Sequence, residues 1–333
     1  MKKKILGLDF GTSNTLISTS AENKIIYNEP SVLAVDNGNN KVVEIGYLAH
    51  KLIGKSPRGI NIEHPIHDGV IADKELAYAY LNTALDNINL DGYIKRAGVI
   101  CAVPYDITKV EKRALYDVIS DLKASSFYMA NSSLLSAIGS SIDIFTTRGN
   151  MIIDIGGSKT TIATMTMGRI VVEDSIYEGG NYIDRAIARY VRTKHHLLIG
   201  DKTAEYIKMK IGTLLETFDN NLLEVNGKDL QTFLPRSIII STAEINTVIT
   251  DIYKDIVNLA IDVMELSPAE ISSDIIHSGI TITGGGCLIN GTREYFQKKL
   301  SVPIHISAYP LESTIRGIIQ AQDRILEDPN ALL

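Results

Sequence analysis

Two matching stretches decide the fold of this chain: ILGLDFGTS at residues 5–13 and MIIDIGGSK at residues 151–159. Each begins as an apolar strand, reaches an aspartate, and then turns on glycine into small polar residues. A buried strand that enters a tight glycine turn and returns as a hairpin accounts for this pattern. The β-rich returns lie at 15–19 and 31–35 in the first copy and at 161–165 and 169–176 in the second. The repetition predicts two similar domains that face each other.

Length, composition and charge limit the classes of protein to consider. With 333 residues, the chain suits two domains or one duplicated unit. Hydrophobic residues make up 45% and charged residues 22%, the balance of a globular protein that can fill its cores. The net charge of -6 disfavours nucleic acid as a partner, because that partner needs clustered lysine and arginine.

Cysteine usage and hydropathy predict a cytoplasmic protein. Cys101 and Cys287 are far apart in sequence, which argues against a redox pair or a zinc site and suits a reducing cytoplasm. The apolar run after the first lysines is broken by Asp9, so we expect no export signal. A membrane-spanning helix needs about 18 consecutive apolar residues, and no such run occurs. Any membrane contact is therefore expected to be peripheral.

Apolar residues recur at helical spacing in later segments. Thr108 and Glu111 have the spacing of a capping box, which satisfies free amide donors at the start of a helix. Polar, turn-forming residues at 140–141 and 146–150, around a short apolar patch, predict a hinge or linker between the two halves. The predicted helices cover 108–123, the neighbourhood of 201–218, and 242–265.

Glycine turns of this kind suit the binding of phosphate. Backbone amides in such turns can point at phosphate oxygens, and small hydroxyl side chains add donors without bulk. A single turn of this type is more often purely structural, but three in this order favour a bound nucleotide. The candidate residues are Gly11, Thr12, Ser13 and Asn14 in the first turn, Gly156, Gly157 and Ser158 in the second, and Gly284, Gly285 and Gly286 in the third.

Two aspartates stand at the ends of the duplicated strands. Asp9 and Asp154 could hold Mg²⁺ through its waters, since this ion favours carboxylate oxygen and dehydrates reluctantly. The alternative is that each aspartate caps its own turn.

Four further strings carry a family resemblance. The order of the turns resembles the actin, Hsp70 and sugar-kinase superfamily, in which two duplicated domains clamp ATP between two phosphate hairpins. Within it, the chain resembles the MreB family over nearly its whole length. The strings are NEPSV at 28–32, DGVIAD at 68–73, KHHLLIG at 194–200 running on to TAE at 203–205, and TGGG at 283–286.

The resemblance implies an α/β, actin-like ATPase fold. Its two duplicated domains each have a central mixed sheet flanked by helices, and the nucleotide lies in the cleft between them. Domain I is expected to cover 1–145 plus about 311–333, with a small subdomain at about 32–66. Domain II is expected to cover 146–310, with a small subdomain at about 180–246.

The resemblance also implies cofactors and contacts. ATP or ADP with Mg²⁺ is expected, with residues 12–14 and 156–158 on the phosphates and residues 284–287, ending at Cys287, on the adenosine side. Glu205 and Lys208 match the family's nucleoside contacts. Because they stand three apart on one predicted helix, an ordinary surface ion pair is the alternative.

Two positions depart from the family. MreB proteins usually carry Glu-Glu-Pro after the strand that follows the capped helix, and the second glutamate is thought to orient the attacking water. This chain has Ser132 at that position, and its second turn has Lys159 where the family usually has threonine. Loss of such a carboxylate should slow hydrolysis roughly 100-fold or more. We therefore expect ATP binding with weak or slow hydrolysis, unless Lys159 points to solvent and a water network replaces the glutamate.

The predicted function is that of an ATP-binding, filament-forming bacterial actin of the cytoskeleton, serving cell shape or motility. A head-to-tail contact that does not close a ring makes an open filament, so the main expected partner is the protein itself. Other MreB paralogues and a peripheral membrane contact through the apolar segment at 88–94 are further expectations, with a plain surface loop as the alternative for that segment. The competing function is a small-molecule kinase of the same fold, since fold alone does not settle function.

Overall fold

The computed structural model describes residues 3–333 and divides them into two compact units. Unit 1 runs to Thr147 and adds Thr166–Ile170 and Glu312–Leu333. Unit 2 consists of Arg148–Met165 and Val171–Leu311. Each unit has its own hydrophobic core.

Unit 1 is built on a five-stranded mixed sheet. Its strands are β1 (Lys4–Phe10), β2 (Asn14–Thr19), β3 (Lys24–Pro30), β9 (Ala97–Val103) and β10 (Ser126–Asn131). They lie in the order β10-β9-β1-β2-β3, with β1 antiparallel to β2 and parallel to β9. The smaller strands are β4 (Leu33–Asp36), β5 (Lys41–Ile45), β6 (Ile60–Glu63), β7 (Ile66–His67) and β8 (Val70–Ile71). The helices are α1 (Gly46–Leu52), α2 (Lys74–Asn87), α3 (Asp91–Ile94), α4 (Lys109–Asp121), α5 (Ser132–Gly139) and α11 (Ser313–Glu327).

Unit 2 repeats this plan. The strands of its main sheet are β11 (Asn150–Ile155), β12 (Thr160–Thr166), β13 (Arg169–Ile176), β17 (Ile280–Thr283) and β18 (Ile304–Ile306), in the order β13-β12-β11-β17-β18. A second sheet contains β14 (Leu197–Leu198), β15 (Leu222–Asp229) and β16 (Pro235–Ser241). The helices are α6 (Gly180–His195), α7 (Asp201–Ile211), α8 (Thr242–Leu266), α9 (Ala269–Ser278) and α10 (Thr292–Leu300). In both units a central strand pairs with an antiparallel hairpin partner on one side and a parallel strand on the other.

Helix α4 begins where the sequence predicts. The Thr108 side chain accepts a hydrogen bond from the Glu111 amide, and the Glu111 carboxylate accepts one from the Thr108 amide at 2.7 Å. The predicted capping box is therefore confirmed. The apolar face of α4 buries Leu115, Val118 and Ile119 against the core of unit 1.

Helices α5 and α11 of unit 1 cross at backbone contact. A Cβ atom on Gly139 would lie 1.8 Å from the Ser313 carbonyl oxygen, and one on Gly317 would lie 1.9 Å from the Leu135 carbonyl oxygen. Real Cβ atoms do not approach oxygen this closely. Glycine is therefore required at both positions, and this crossing joins the last helix of the chain to the first half of the sequence.

Two sequence-based boundaries differ from the structure. The helix predicted near 201–218 ends at Ile211, because the Gly212 amide makes the last helical hydrogen bond, to the Lys208 carbonyl oxygen at 2.9 Å, and the backbone there turns to extended angles. The strand predicted at 31–35 begins at Leu33, since the Ser31 amide is drawn to the Ser13 carbonyl oxygen instead.

The apolar segment at 88–94 packs inward. Ile94 is buried, and Leu90 and Tyr93 pack against the core of unit 1. The Tyr93 hydroxyl donates a hydrogen bond to the Ile5 carbonyl oxygen at 3.1 Å. These contacts favour the surface-loop interpretation of the segment over a membrane contact.

Candidate functional site

The first glycine turn closes the β1–β2 hairpin of unit 1. The Gly11 amide donates to the Asn14 carbonyl oxygen at 3.1 Å, and the flanking residues Phe10 and Thr15 pair in register. A Cβ on Gly11 would lie 2.9 Å from the same carbonyl oxygen, so a larger residue would push the turn open.

Two neighbouring segments hold this turn in place. The Ser31 hydroxyl donates to the Gly11 carbonyl oxygen at 2.6 Å, and the Ser31 amide donates to the Ser13 carbonyl oxygen at 2.9 Å. The Gly69 amide donates to the Thr12 hydroxyl at 2.8 Å. A trans peptide carries its N–H opposite its C=O, so the amides of Thr12 and Asn14 point away from Ser31. Two strings that carry the family resemblance, 28–32 and 68–73, thus contain the residues that brace the first turn.

The second glycine turn has the same geometry in unit 2. The Gly156 amide donates to the Lys159 carbonyl oxygen at 3.0 Å, between the paired residues Ile155 and Thr160. A Cβ on Gly156 would again lie 2.9 Å from the accepting oxygen. The internal duplication seen in the sequence is therefore also present in hydrogen bonding and in steric demand.

The N-terminus of α6 supports the second turn. The amides of Gly180 and Asn181 donate to the carbonyl oxygens of Gly156 and Gly157, at 2.9 Å and 2.7 Å. By the same peptide geometry, the amides of Gly157 and Ser158 point away from α6. A Cβ on Gly179 would lie 2.6 Å from the Gly156 carbonyl oxygen, so the contact requires glycine.

Sequence reasoning did not identify this support. Its signal is the pair Gly179–Gly180 directly before a segment whose apolar residues recur at helical spacing. Such a pair allows a helix to begin against another piece of backbone.

The third turn packs on the end of β11 in unit 2. Gly284 has a φ of +79°, and a Cβ there would lie 2.3 Å from the Ile155 carbonyl oxygen and 2.5 Å from Asp154 Oδ1. A Cβ on Gly286 would lie 2.2 Å from the Ile155 side chain. At these two glycines, the backbone of the third turn lies directly against β11. The third turn is thereby held beside the second.

The residues after these glycines differ in exposure. Gly285 to Leu288 form a short 3₁₀ helix in which Cys287 is buried and the Leu288 side chain is exposed. Burial, together with the negative charge of Asp154, raises the pKa of the Cys287 thiol to about 12. Cys287 is therefore a neutral packing residue, and Leu288 is the apolar side chain that this turn exposes.

Asp9 and Asp154 occupy equivalent, half-buried positions on β1 and β11. Among residues 3–333, no group of three or more His, Cys, Asp or Glu side chains is arranged to hold a metal ion. A Mg²⁺ ion at either aspartate would thus need phosphate oxygens and water for most of its ligands, which suits its preference for retained waters.

Lys208 forms its ion pair with Asp184. Its ammonium lies 2.9 Å from Asp184 Oδ1 on α6 and donates to the Gly180 carbonyl oxygen at 3.0 Å. The side chains of Lys208 and Asp184 are only 14% and 9% exposed, so this pair is not an ordinary surface ion pair. Glu205 lies close enough to oppose ionisation of Asp184.

The two altered positions lie in different units. Ser132 is the first residue of α5, whose start is capped by Asn131 accepting from the Leu134 amide at 3.0 Å. Lys159 is half-buried in the second turn, with its ammonium 5.8 Å from the centroid of the Tyr177 ring. Neither position carries a carboxylate.

No helix in the described part of the chain is both long and apolar enough to cross a membrane.

The chain is similar to known proteins over nearly its whole length. The family model "MreB/Mbl protein" matches residues 3–329. The cell shape-determining protein Mbl of Bacillus subtilis is 35% identical over 312 residues, covering 94% of this chain and 93% of Mbl. The crystal structure of MreB5 of Spiroplasma citri bound to AMPPNP superposes with a TM-score of 0.95 at 33% identity, covering 98% of each chain. A MamK double helical filament, at 17% identity, superposes with a TM-score of 0.76 over 97% of this chain and 99% of MamK. The fold is therefore α/β and actin-like, as the sequence predicts.

Proposed function

The chain belongs to the MreB/Mbl family, and from this premise we propose that it binds ATP or ADP with Mg²⁺ and assembles into cytoskeletal filaments in the cytoplasm. The observation that carries the proposal is the pair of equivalent glycine turns. Each is closed by one backbone hydrogen bond, and each is held by further hydrogen bonds to a neighbouring segment of its own unit. Each turn directs amides away from its supports, as a phosphate cradle requires. The bound AMPPNP of the MreB5 structure supports an adenine nucleotide as the ligand.

The proposed contacts follow from this arrangement. Residues 11–14 and 156–158 would hold the phosphates, and the two domains would be residues 1–145 plus about 311–333 and residues 146–310. Residues 284–287, Glu205 and Lys208 would lie on the nucleoside side, with the exposed Leu288 available to an adenine ring. Asp9 and Asp154 would hold Mg²⁺ through water, which would neutralise phosphate charge.

We infer that hydrolysis is weak. A carboxylate that orients water contributes by accepting its proton and fixing its position, and a serine hydroxyl at 132 can do neither well. A lysine that contacts phosphate equally in the ground and transition states strengthens binding without accelerating the reaction. Ser132 and Lys159 therefore favour binding with slow turnover.

Calorimetric titration tests the binding proposal. ATP with Mg²⁺ should bind the purified protein, and Gly156→Ala should weaken it at least tenfold, because the added Cβ opens the second turn. Gly200→Ala is the matched control in the same unit, since no atom lies within 4 Å of a Cβ there. Absence of ATP binding by the unaltered protein would refute the proposed function.

Electron microscopy tests assembly and separates the two candidate functions. With ATP and Mg²⁺ the protein should form filaments, because a head-to-tail contact that does not close repeats indefinitely. The names of the matched relatives describe cell-shape and filament proteins, which favours a cytoskeletal role over a small-molecule kinase. Single particles at all concentrations, with phosphate transfer to a small acceptor, would instead support the kinase. Partners among MreB paralogues would be detected as mixed filaments.

A further inference from the structure

Hydrogen bonds connect a buried ion pair of unit 2 to the second glycine turn. Lys208 on α7 donates to the Gly180 carbonyl oxygen at 3.0 Å and to Asp184 Oδ2 at 3.0 Å. Gly180 and Asp184 are one helical turn apart at the start of α6. The Gly180 amide in turn donates to the Gly156 carbonyl oxygen at 2.9 Å. The path from Asp184 to the second turn therefore consists of three hydrogen bonds.

The pair is too buried to be incidental. Burying a charged lysine and a carboxylate is costly unless each is matched, and removing one partner leaves the other unpaired in a poorly solvated site. Asp184 Oδ1 lies 2.9 Å from the ammonium but accepts no hydrogen bond, so Lys208 is the main group that compensates this carboxylate. Such a pair fixes the position of α6 relative to α7 more firmly than apolar packing alone.

We propose that Asp184 is a positioning residue for nucleotide binding: it holds Lys208 against the Gly180 carbonyl, and so keeps the start of α6 behind the second glycine turn. This inference rests on the proposed binding of ATP. It gives Lys208 an action on the phosphates through Gly180 and Gly156, in addition to its place on the nucleoside side.

The test compares ATP with AMP, because a displaced phosphate turn weakens the ligand with the longer phosphate chain more. Asp184→Asn keeps the shape of the side chain and removes its charge. It should reduce ATP affinity about tenfold while leaving AMP affinity within about twofold, since only part of the charge-assisted interaction is lost. Calorimetry with each nucleotide measures both values, and far-UV circular dichroism checks that the variant is folded.

A matched control and a second variant distinguish this role from a general destabilisation of unit 2. Glu216→Gln removes the carboxylate of the exposed ion pair with Lys298 in the same unit and should change neither affinity. Lys208→Met should lower the ATP-to-AMP affinity ratio in the same direction. The double variant Asp184→Asn, Lys208→Met should lose no more than Lys208→Met alone, because both changes break one interaction.

The pH dependence of binding provides a second test, in which the unaltered protein is compared with Asp184→Asn. Burial raises the pKa of Asp184 to about 6. The negative charges of Glu205 and Asp201 also raise it, whereas Lys208 lowers it. As the pH falls through this value the carboxyl is protonated and the pair is lost, so the ATP-to-AMP affinity ratio should fall. Asp184→Asn should lack this step. Titration of the nucleotide's own phosphates is common to both proteins and cancels in the comparison.

Each outcome is decisive. Equal losses for ATP and AMP in Lys208→Met would show that Lys208 acts at the nucleoside alone and not through the phosphate turn, and the inference would be overturned. Unchanged ATP affinity in Asp184→Asn, or an equal loss in Glu216→Gln, would also overturn it. If Asp184→Asn does not fold, the ATP-to-AMP affinity ratio of Lys208→Met gives the answer. A protein that binds ATP but fails these tests retains the proposed function, whereas one that binds no ATP refutes both.

Discussion

Replacing Ser132 with glutamate and Lys159 with threonine is expected to raise the rate of ATP hydrolysis about 100-fold. The glutamate restores a carboxylate that can orient and deprotonate water. The threonine removes a cation that binds phosphate without favouring the transition state. A negative charge at position 132 is favourable, because the residue begins α5 and so lies at a helix N-terminus.

Single-turnover hydrolysis with excess protein measures this rate without interference from product release. The matched control is Ser132→Gln with Lys159→Thr, in which the new side chain has the same length and no charge. It should remain as slow as the unaltered protein. If the unaltered protein already hydrolyses ATP as fast as Mbl assayed alongside it, the proposal of weak hydrolysis is wrong.

Gly317→Ala is expected to destabilise unit 1 by about 3 kcal/mol, the upper part of the usual range for overpacking. The added Cβ would lie 1.9 Å from the Leu135 carbonyl oxygen, so α5 and α11 must move apart along their crossing. Helix propensity alone predicts the opposite sign, because alanine is favoured over glycine inside a helix by about 1 kcal/mol. The direction of the change therefore distinguishes tertiary contact from local preference.

Urea unfolding followed by circular dichroism measures this effect as a lower midpoint of the transition that belongs to unit 1. Gly92→Ala is the matched control in the same unit, since no atom lies within 4 Å of a Cβ there and its φ is not positive. It should leave the midpoint within the range of ordinary surface substitutions, about 0.5 kcal/mol. A Gly317→Ala variant as stable as the Gly92→Ala control would show that the two helices are not in backbone contact.

Local patterns in the sequence were sufficient to identify the elements that carry the site. The two strand-glycine-hairpin stretches appear in the structure at equivalent registers, and Thr108 with Glu111 forms the predicted capping box. These predictions succeed because turns, caps and hairpins depend on residues within a few positions of one another. The helix predicted to continue to 218 was too long, because periodicity does not reveal that the backbone becomes extended at Gly212.

Two of the strings that resemble the MreB family, at 28–32 and 68–73, have a role that the sequence does not reveal. In the structure, Ser31 and Gly69 brace the first glycine turn by hydrogen bonds to Gly11, Ser13 and Thr12. The sequence alone could name these segments as diagnostic of the family. It could not assign their function, because each contact joins residues 18 to 57 positions apart.

The sequence by itself determined the duplicated α/β plan, the two glycine turns and the absence of a carboxylate at position 132. Tertiary structure alone decided that Lys208 pairs with Asp184 and that Gly139 and Gly317 let two distant helices touch. The physical reason is the sequence separation of the interacting residues. Backbone geometry and local hydrogen bonding depend on neighbouring residues, whereas burial and close packing depend on which distant surfaces the whole chain brings together.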